Sequence, residues 1–313
     1  MTNDQFDTPV LYLVFNRPEH TRRSFETIRA IRPKRLFIAA DGPRAHAPTD
    51  RIRTQEARQI ATAVDWPCEV HTLMRDSNLG CAYAISEAIS WFFERVESGI
   101  ILEDDCVASP AFWDYCSLML KKYRDDEQVM CVSGNNFLPP AVRPRAPYYF
   151  SRYPNTWGWA SWARAWAAYA RVPSALPAVH ITATLNIACI RNPLSRWWWR
   201  RTLKKYVSPT SSAWDYRWLY SIWMHDGVSV SPNRNLVANI GFDALATHTS
   251  RAENTARFST TEPWDCDASY SPHSTQVNGW ADAMYDLCVI NGQNLLGSLP
   301  RHLLKRRSSV QET

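Results

Sequence analysis

Two hydrophobic rhythms alternate along the first hundred residues. "PVLYLVFNRP" (residues 9–18) is a short continuous apolar run closed by Asn16-Arg17-Pro18, the pattern of a buried strand. "EHTRRSFETIRAI" follows, with Phe25, Ile28 and Ile31 at helical spacing. "RLFIAADGP" predicts a second strand, stopped by Asp41-Gly42-Pro43, and "TQEARQIATAV" a second helix. "CEVHTLMR", "AYAISEAISWFFERV" and "GIILEDD" continue the series as strand, helix and strand. Strands alternating with helices require crossover connections and predict an α/β fold with a largely parallel sheet. Ligands of such sheets bind beyond the carboxyl ends of the strands. The polar clusters fall at those ends: Asn16 and Arg17, Asp41, Arg75 to Asn78, and Glu103 to Asp105.

Composition narrows the chemistry. Glycine is scarce, at 10 of 313 residues, and neither GxGxxG nor a P-loop occurs, which disfavours a dinucleotide-binding unit and a P-loop NTPase. Phosphates would then be neutralised by a divalent cation, Mn2+ or Mg2+, held by carboxylates with an arginine assisting. The triplet Glu103-Asp104-Asp105 at a strand end supplies that chemistry; the competing reading is a solvated acidic turn. The 8 cysteines form no CxxC, so zinc is not expected, and they read as reduced core residues of a cytosolic protein. A net charge of +5 suits an anionic ligand or membrane surface without implying nucleic-acid binding. The N-terminus lacks a signal-peptide layout and no apolar run reaches membrane-spanning length, so the expectation is a soluble, cytoplasmic protein.

"GIILEDDCVASPAFWDYC" resembles the metal-binding strand of GT-A fold, nucleotide-sugar-dependent glycosyltransferases. More specifically, it resembles the Golgi N-acetylglucosaminyltransferase family that starts complex N-glycans, and its bacterial relatives. "VMCVSGNNF" and, more patchily, "YFSRYPNTWGWASWARAW" extend the resemblance, which covers most of residues 8–250. It implies one catalytic domain over 1–250, with a nucleotide-binding half near 8–135 and an acceptor half near 136–250. Residues 251–313 would form a C-terminal wrap and basic tail.

The resemblance also implies roles. Asp105 would bind the metal through the donor diphosphate, with Asp104 and Glu103 on ribose, base or sugar. Arg17 would approach the diphosphate, and Asp41 would read the N3–H of a uracil or thymine; an Asp-Gly turn is the alternative for Asp41. Arg75 and Asn78 would face the donor. Asp215, in "SAWDYRW", would be the base that deprotonates the acceptor hydroxyl in an inverting transfer, or else a helix cap. His248 with Thr249 would return over the diphosphate, with Asn239, Gly241 and Asp243 in the same loop. Trp157 or Trp159 would stack on a sugar, although Trp159, Trp162 and Trp166 at helical spacing also read as core.

"RNPLSRWWWRRTLKKYV" is a cationic, tryptophan-rich helix, either lying on an anionic membrane where a lipid-linked acceptor is presented or covering the acceptor loop with snorkelling arginines. The reading is a metal-dependent, inverting transferase using a UDP- or dTDP-sugar donor and a glycan acceptor, plausibly of a bacterial surface polysaccharide. Its rivals are a sugar-1-phosphate nucleotidyltransferase, which needs a glycine-rich N-terminal loop that "LVFNRPEH" lacks, and a non-catalytic glycan- or membrane-surface-binding protein.

Overall fold

The computed structural model describes residues 5–169, 177–207, 211–241, 260–265, 270, 272 and 274–291. The predicted alternation is present. Strands β1 (Val10–Val14), β2 (Arg35–Ala40), β3 (Glu69–Met74) and β4 (Ser98–Glu103) are joined by helices α1 (Pro18–Ile31), α2 (Asp50–Ala61) and α3 (Cys81–Phe93). β1 pairs in parallel with both β2 and β4, and β2 with β3. β5 (Cys106–Ala108) and α4 (Pro110–Lys122) follow, then β6 (Val129–Ser133), β7 (Tyr148–Ser151) and β8 (Trp159–Trp162). A short helix α5 (Ala163–Trp166) leads to α6 (Ala178–Ile187), α7 (Pro193–Tyr206) and α8 (Trp214–Met224). β9 (Val228–Pro232), β10 (Val237–Asn239) and a helix at Gly279–Tyr285 come last.

Eight strands form one sheet in the order β3-β2-β1-β4-β8-β6-β9-β7. β8 runs antiparallel to both β4 and β6, and β7 antiparallel to β9, so the sheet is α/β and mostly parallel. The chain winds outward from β1 to β2 and β3, then restarts on the other side of β1 with β4. The crevice between the ends of β1 and β4 is therefore the topological switch point, where open α/β sheets bind ligands.

Strand alternation divides the core between the two sheet faces. Leu11, Leu13, Phe37 and Ile101 pack with α3 and with Trp214 and Trp218 of α8. Val10, Tyr12, Leu36, Ile38 and Leu102 pack with Phe25 and Ile28 of α1 and with Phe112 and Trp113 of α4. The helical spacing of Trp159, Trp162 and Trp166 is misleading for the first two, which lie on β8. Three residues apart on a strand, Trp159 and Trp162 enter opposite cores. The cysteines divide as well: Cys106, Cys116 and Cys131 are buried, whereas Cys81 and Cys189 are exposed. Among the described residues no helix is long and apolar enough to cross a membrane.

Candidate active site

The connection from β1 to α1 is only Phe15-Asn16-Arg17, because Pro18 starts the helix with φ already set for it. Arg17 is thereby held across the switch point from the end of β4. One guanidinium nitrogen donates to Asp105 Oδ2 at 2.9 Å, and the other donates to Asp104 Oδ1. Asp104 is 2% exposed. Its second oxygen accepts from the Phe15 N–H at 3.1 Å, and its carbonyl accepts from Ser24 Oγ at 2.9 Å. Buried and bonded through both oxygens, Asp104 locks β4 to β1. Asp105 stays partly open to solvent.

A second chain segment closes on Asp105. β5 pairs antiparallel with β10, placing Asn239 opposite Cys106. Ile240 N–H donates to the Asp105 carbonyl at 2.8 Å, and His20 Nε2 lies 3.0 Å from the Ile240 carbonyl. A Cβ on Gly241 would sit 2.4 Å from Asp105 Oδ2, so glycine is what lets this backbone approach. Asn239 Oδ1 accepts from Gly241 N–H at 2.8 Å and fixes the turn.

Glu103 carries the electrostatic signature of the site. Burial, then repulsion from Asp105, pushes its carboxyl up to about 8; Arg17 partly offsets this, while Asp104 and Asp215 add to it. Thus the charges acting most strongly on Glu103 are three carboxylates and one guanidinium. Arg17 itself is held well above its ordinary value, because Asp104, Asp105 and Glu103 more than offset the cost of its burial. A pocket with this excess of acid is stabilised by a proton or by a cation.

The charge of Asp215, 112 residues beyond Glu103 in the sequence, also acts on Glu103. It lies in the first turn of α8, half-buried, and its charge also acts on Cys81 at the start of α3 and on Tyr169. The capping position of α8 is Ala213, so Asp215 is not the helix cap.

The expected nucleotide-reading residues are committed elsewhere. Asp41 Oδ1 accepts from Gly42 N–H at 2.8 Å and Leu79 N–H at 2.9 Å. Its Oδ2 accepts from Asn78 Nδ2 at 2.8 Å and Gly80 N–H at 3.1 Å. Four donors saturate the carboxylate, which leaves no acceptor for a base N3–H; Asp41 clasps the turn that enters α3. Asn78 serves the same clasp and also reaches the Gly42 carbonyl at 3.0 Å. Arg75 pairs with Glu87 on α3 at 2.9 Å rather than facing the switch point.

Trp159 is fully buried against Trp214, with ring centroids 5.7 Å apart and planes at 26°, so it has no face for a sugar. Trp157 is half-buried, edge-on to Phe137 at 4.7 Å, at the sheet end. His248, Thr249 and Asp243 lie outside the described residues.

Sequence reasoning missed Asp50 and Arg44. Asp50 is buried; the bidentate Arg44 bond, aided by Asn16 Nδ2 at 2.7 Å, pulls it down to about 2. The Arg44 guanidinium also lies over the Phe15 ring at 5.5 Å. This network orients the residues after β1, and "TDRIRT" reads as nothing more than an acidic helix start.

Among the described residues, no three His, Cys, Asp or Glu side chains are grouped as a protein-only metal centre. The donor set instead fits a cation shared with a ligand. Mg2+ is commonly held by one or two carboxylates plus substrate phosphates, and Asp105 with Glu103 offers that number.

No protein-family model matches this chain, and no curated protein matches it. Several solved structures do. HddC from Yersinia pseudotuberculosis aligns at 10% identity over 50% of this chain and 77% of its own, with a TM-score of 0.30. The inositol-1-phosphate CTP transferase from T. maritima aligns at 10% identity over 72% of this chain and 85% of its own, with a TM-score of 0.36. A UDP-glucose pyrophosphorylase complexed with UDP-glucose aligns at 10% identity over 54% and 81%, with a TM-score of 0.30. These are distant similarities of outline.

Proposed function

We propose that the chain is a metal-dependent, inverting glycosyltransferase of the GT-A type, taking a nucleotide diphospho-sugar donor and a glycan acceptor. The observation that carries this reading is the acidity at the switch point: Glu103, Asp104 and Asp105 in excess of Arg17, with the charge of Asp215 on α8 also acting on Glu103.

In this reading Asp105, with Glu103, would hold Mn2+ or Mg2+, which would supply positive charge for a departing nucleoside diphosphate. Arg17 contributes positive charge to the same crevice, oriented by Asp104. Asp215 accepts the proton of an acceptor hydroxyl as that oxygen bonds to C1 of the sugar. The bond from C1 to the diphosphate oxygen breaks on the opposite face, and its electron pair leaves with the nucleotide. Trp157, half-buried two residues before β8, would be the aromatic side chain nearest in the chain to the transferred sugar.

The nucleotidyltransferase reading needs a glycine-rich loop after β1. The three-residue connection Phe15–Arg17 contains no glycine and runs straight into α1.

Calorimetric titration of UDP with and without Mn2+ tests the proposal. Wild-type protein is expected to bind UDP only with metal, and Asp105→Ala to abolish that binding. Asp215→Asn should still bind UDP but lose roughly 10²–10⁴-fold in turnover, measured as UDP release from the donor in the presence of acceptor. Silence toward UDP, dTDP and GDP under all conditions would return the triplet to a solvated acidic turn.

A further inference from the structure

The surface between α7 and α8 concentrates chemistry that the site above does not use. Trp197, Arg201, Lys204 and Lys205 of α7 and Tyr216 of α8 are among the residues lining an open groove of about 710 Å3. Helical periodicity sorts α7 into two faces. Trp199 and Leu203 point into the core at 2% and 0% exposure, while Trp197 is 59% exposed on the other side with the cations. Lysines in a last helical turn are an ordinary complement to the helix dipole. That does not account for Arg201, or for aromatic walls.

The cations are held against rings rather than by acids. Arg201 lies 5.1 Å from the centre of the Trp197 ring, and Lys205 lies 4.6 Å from that of Tyr206. Among the described residues, no carboxylate lines the groove. Its positive charge is therefore not neutralised by its own walls. Tyr216 stacks on Tyr206 at 4.7 Å and 12°, is the next residue after Asp215, and feels its charge.

We infer that this groove binds the acceptor's carrier: the diphosphate of a glycan linked to a lipid diphosphate. Arg201, Lys204 and Lys205 offer cations to the two negative charges of a glycan–lipid diphosphate, the exposed indole of Trp197 suits the first apolar units of the lipid, and Asp215, one residue before Tyr216, would meet the glycan hydroxyl. The inference rests on the glycosyltransferase reading for the role of Asp215, whereas the groove's ligand can be tested separately.

The test is titration of farnesyl diphosphate into the full chain in EDTA, which withholds metal from the donor site. Parallel titrations use inorganic pyrophosphate and vesicles of phosphatidylglycerol. Farnesyl diphosphate is expected to bind, and Arg201→Glu/Lys205→Glu to weaken it at least about tenfold, or about 1.4 kcal/mol. Metal-dependent UDP binding should be unchanged in that variant, which also shows that it is folded. Trp197→Ala should weaken farnesyl diphosphate but not pyrophosphate. Equal binding of farnesyl diphosphate by wild type and the double variant overturns the inference. So does pyrophosphate binding as tightly as farnesyl diphosphate, or vesicle binding with no response to the soluble probe. If farnesyl diphosphate binds as expected while UDP never does, the groove stands and the glycosyltransferase reading fails alone.

Discussion

Arg17 ties together the two strand ends on which the site is built. Asp104 is 2% exposed and relies on this guanidinium for charge compensation. Removing one partner of a buried pair costs roughly 3–5 kcal/mol, because the other charge is left without compensation. Arg17→Met should therefore lower stability by that order in urea unfolding, and adding Asp104→Asn should recover part of it. A loss below about 1 kcal/mol would class the pair with solvated surface bridges. Glu103 makes a different prediction, in pH. Its folded value of about 8 lies above the ordinary 4.5, so between these values the folded protein holds a proton that the unfolded chain has released. The stability it contributes is fully present below pH 4.5 and is lost as pH rises through 8. Unfolding free energies measured in metal-free buffer from pH 5 to 8.5 should show this decline in wild type. The slope should flatten in Glu103→Gln. An equal slope in both would assign the titration to another group.

At the scale of elements, the site is made where a short ribbon crosses the end of a long sheet. β5 and β10 have three residues each, yet their pairing brings Gly241 onto Asp105. Gly241→Ala places a Cβ 2.4 Å from Asp105 Oδ2, so the ribbon or the carboxylate must shift. We expect metal-dependent UDP affinity to fall at least about tenfold, with Arg17–Asp104 and the core intact and the melting temperature little changed. Unaltered affinity in calorimetry would show that the ribbon does not shape the donor site. This element also marks where the sequence stops being legible. β1, β2 and β4 were readable because strands buried on both faces are nearly continuous apolar runs, and their polar ends named Arg17 and Glu103 to Asp105. The ribbon was not, since three-residue strands about 130 positions apart carry no periodicity. Nor was the fate of Asp41, whose four donors include three from residues 78–80, beyond the reach of a local Asp-Gly pattern. β8 was obscured because tryptophans three apart suit a helix face as well as the two sides of a strand.

Across the whole molecule, one sheet carries the strand ends that hold Arg17 and Glu103 to Asp105, and both of its faces are covered by core. The switch-point crevice is then built on strands that cannot separate without exposing both hydrophobic layers, so a ligand there should stabilise global folding. At a concentration one hundred times its dissociation constant, a ligand specific to the native state contributes about 2.7 kcal/mol. For a chain of this size that amounts to a melting shift of several degrees. UDP with Mn2+ should produce this shift in wild type, and UDP or Mn2+ alone should produce little of it. Asp105→Ala should melt close to wild type without ligand, since relief of its repulsion on Glu103 offsets the loss of its bond to Arg17, which keeps Asp104. The same variant should show no shift with UDP and Mn2+. A full shift with UDP alone would mean that Arg17 and the backbone hold the diphosphate without a cation, and the excess acidity at β4 would then need another partner.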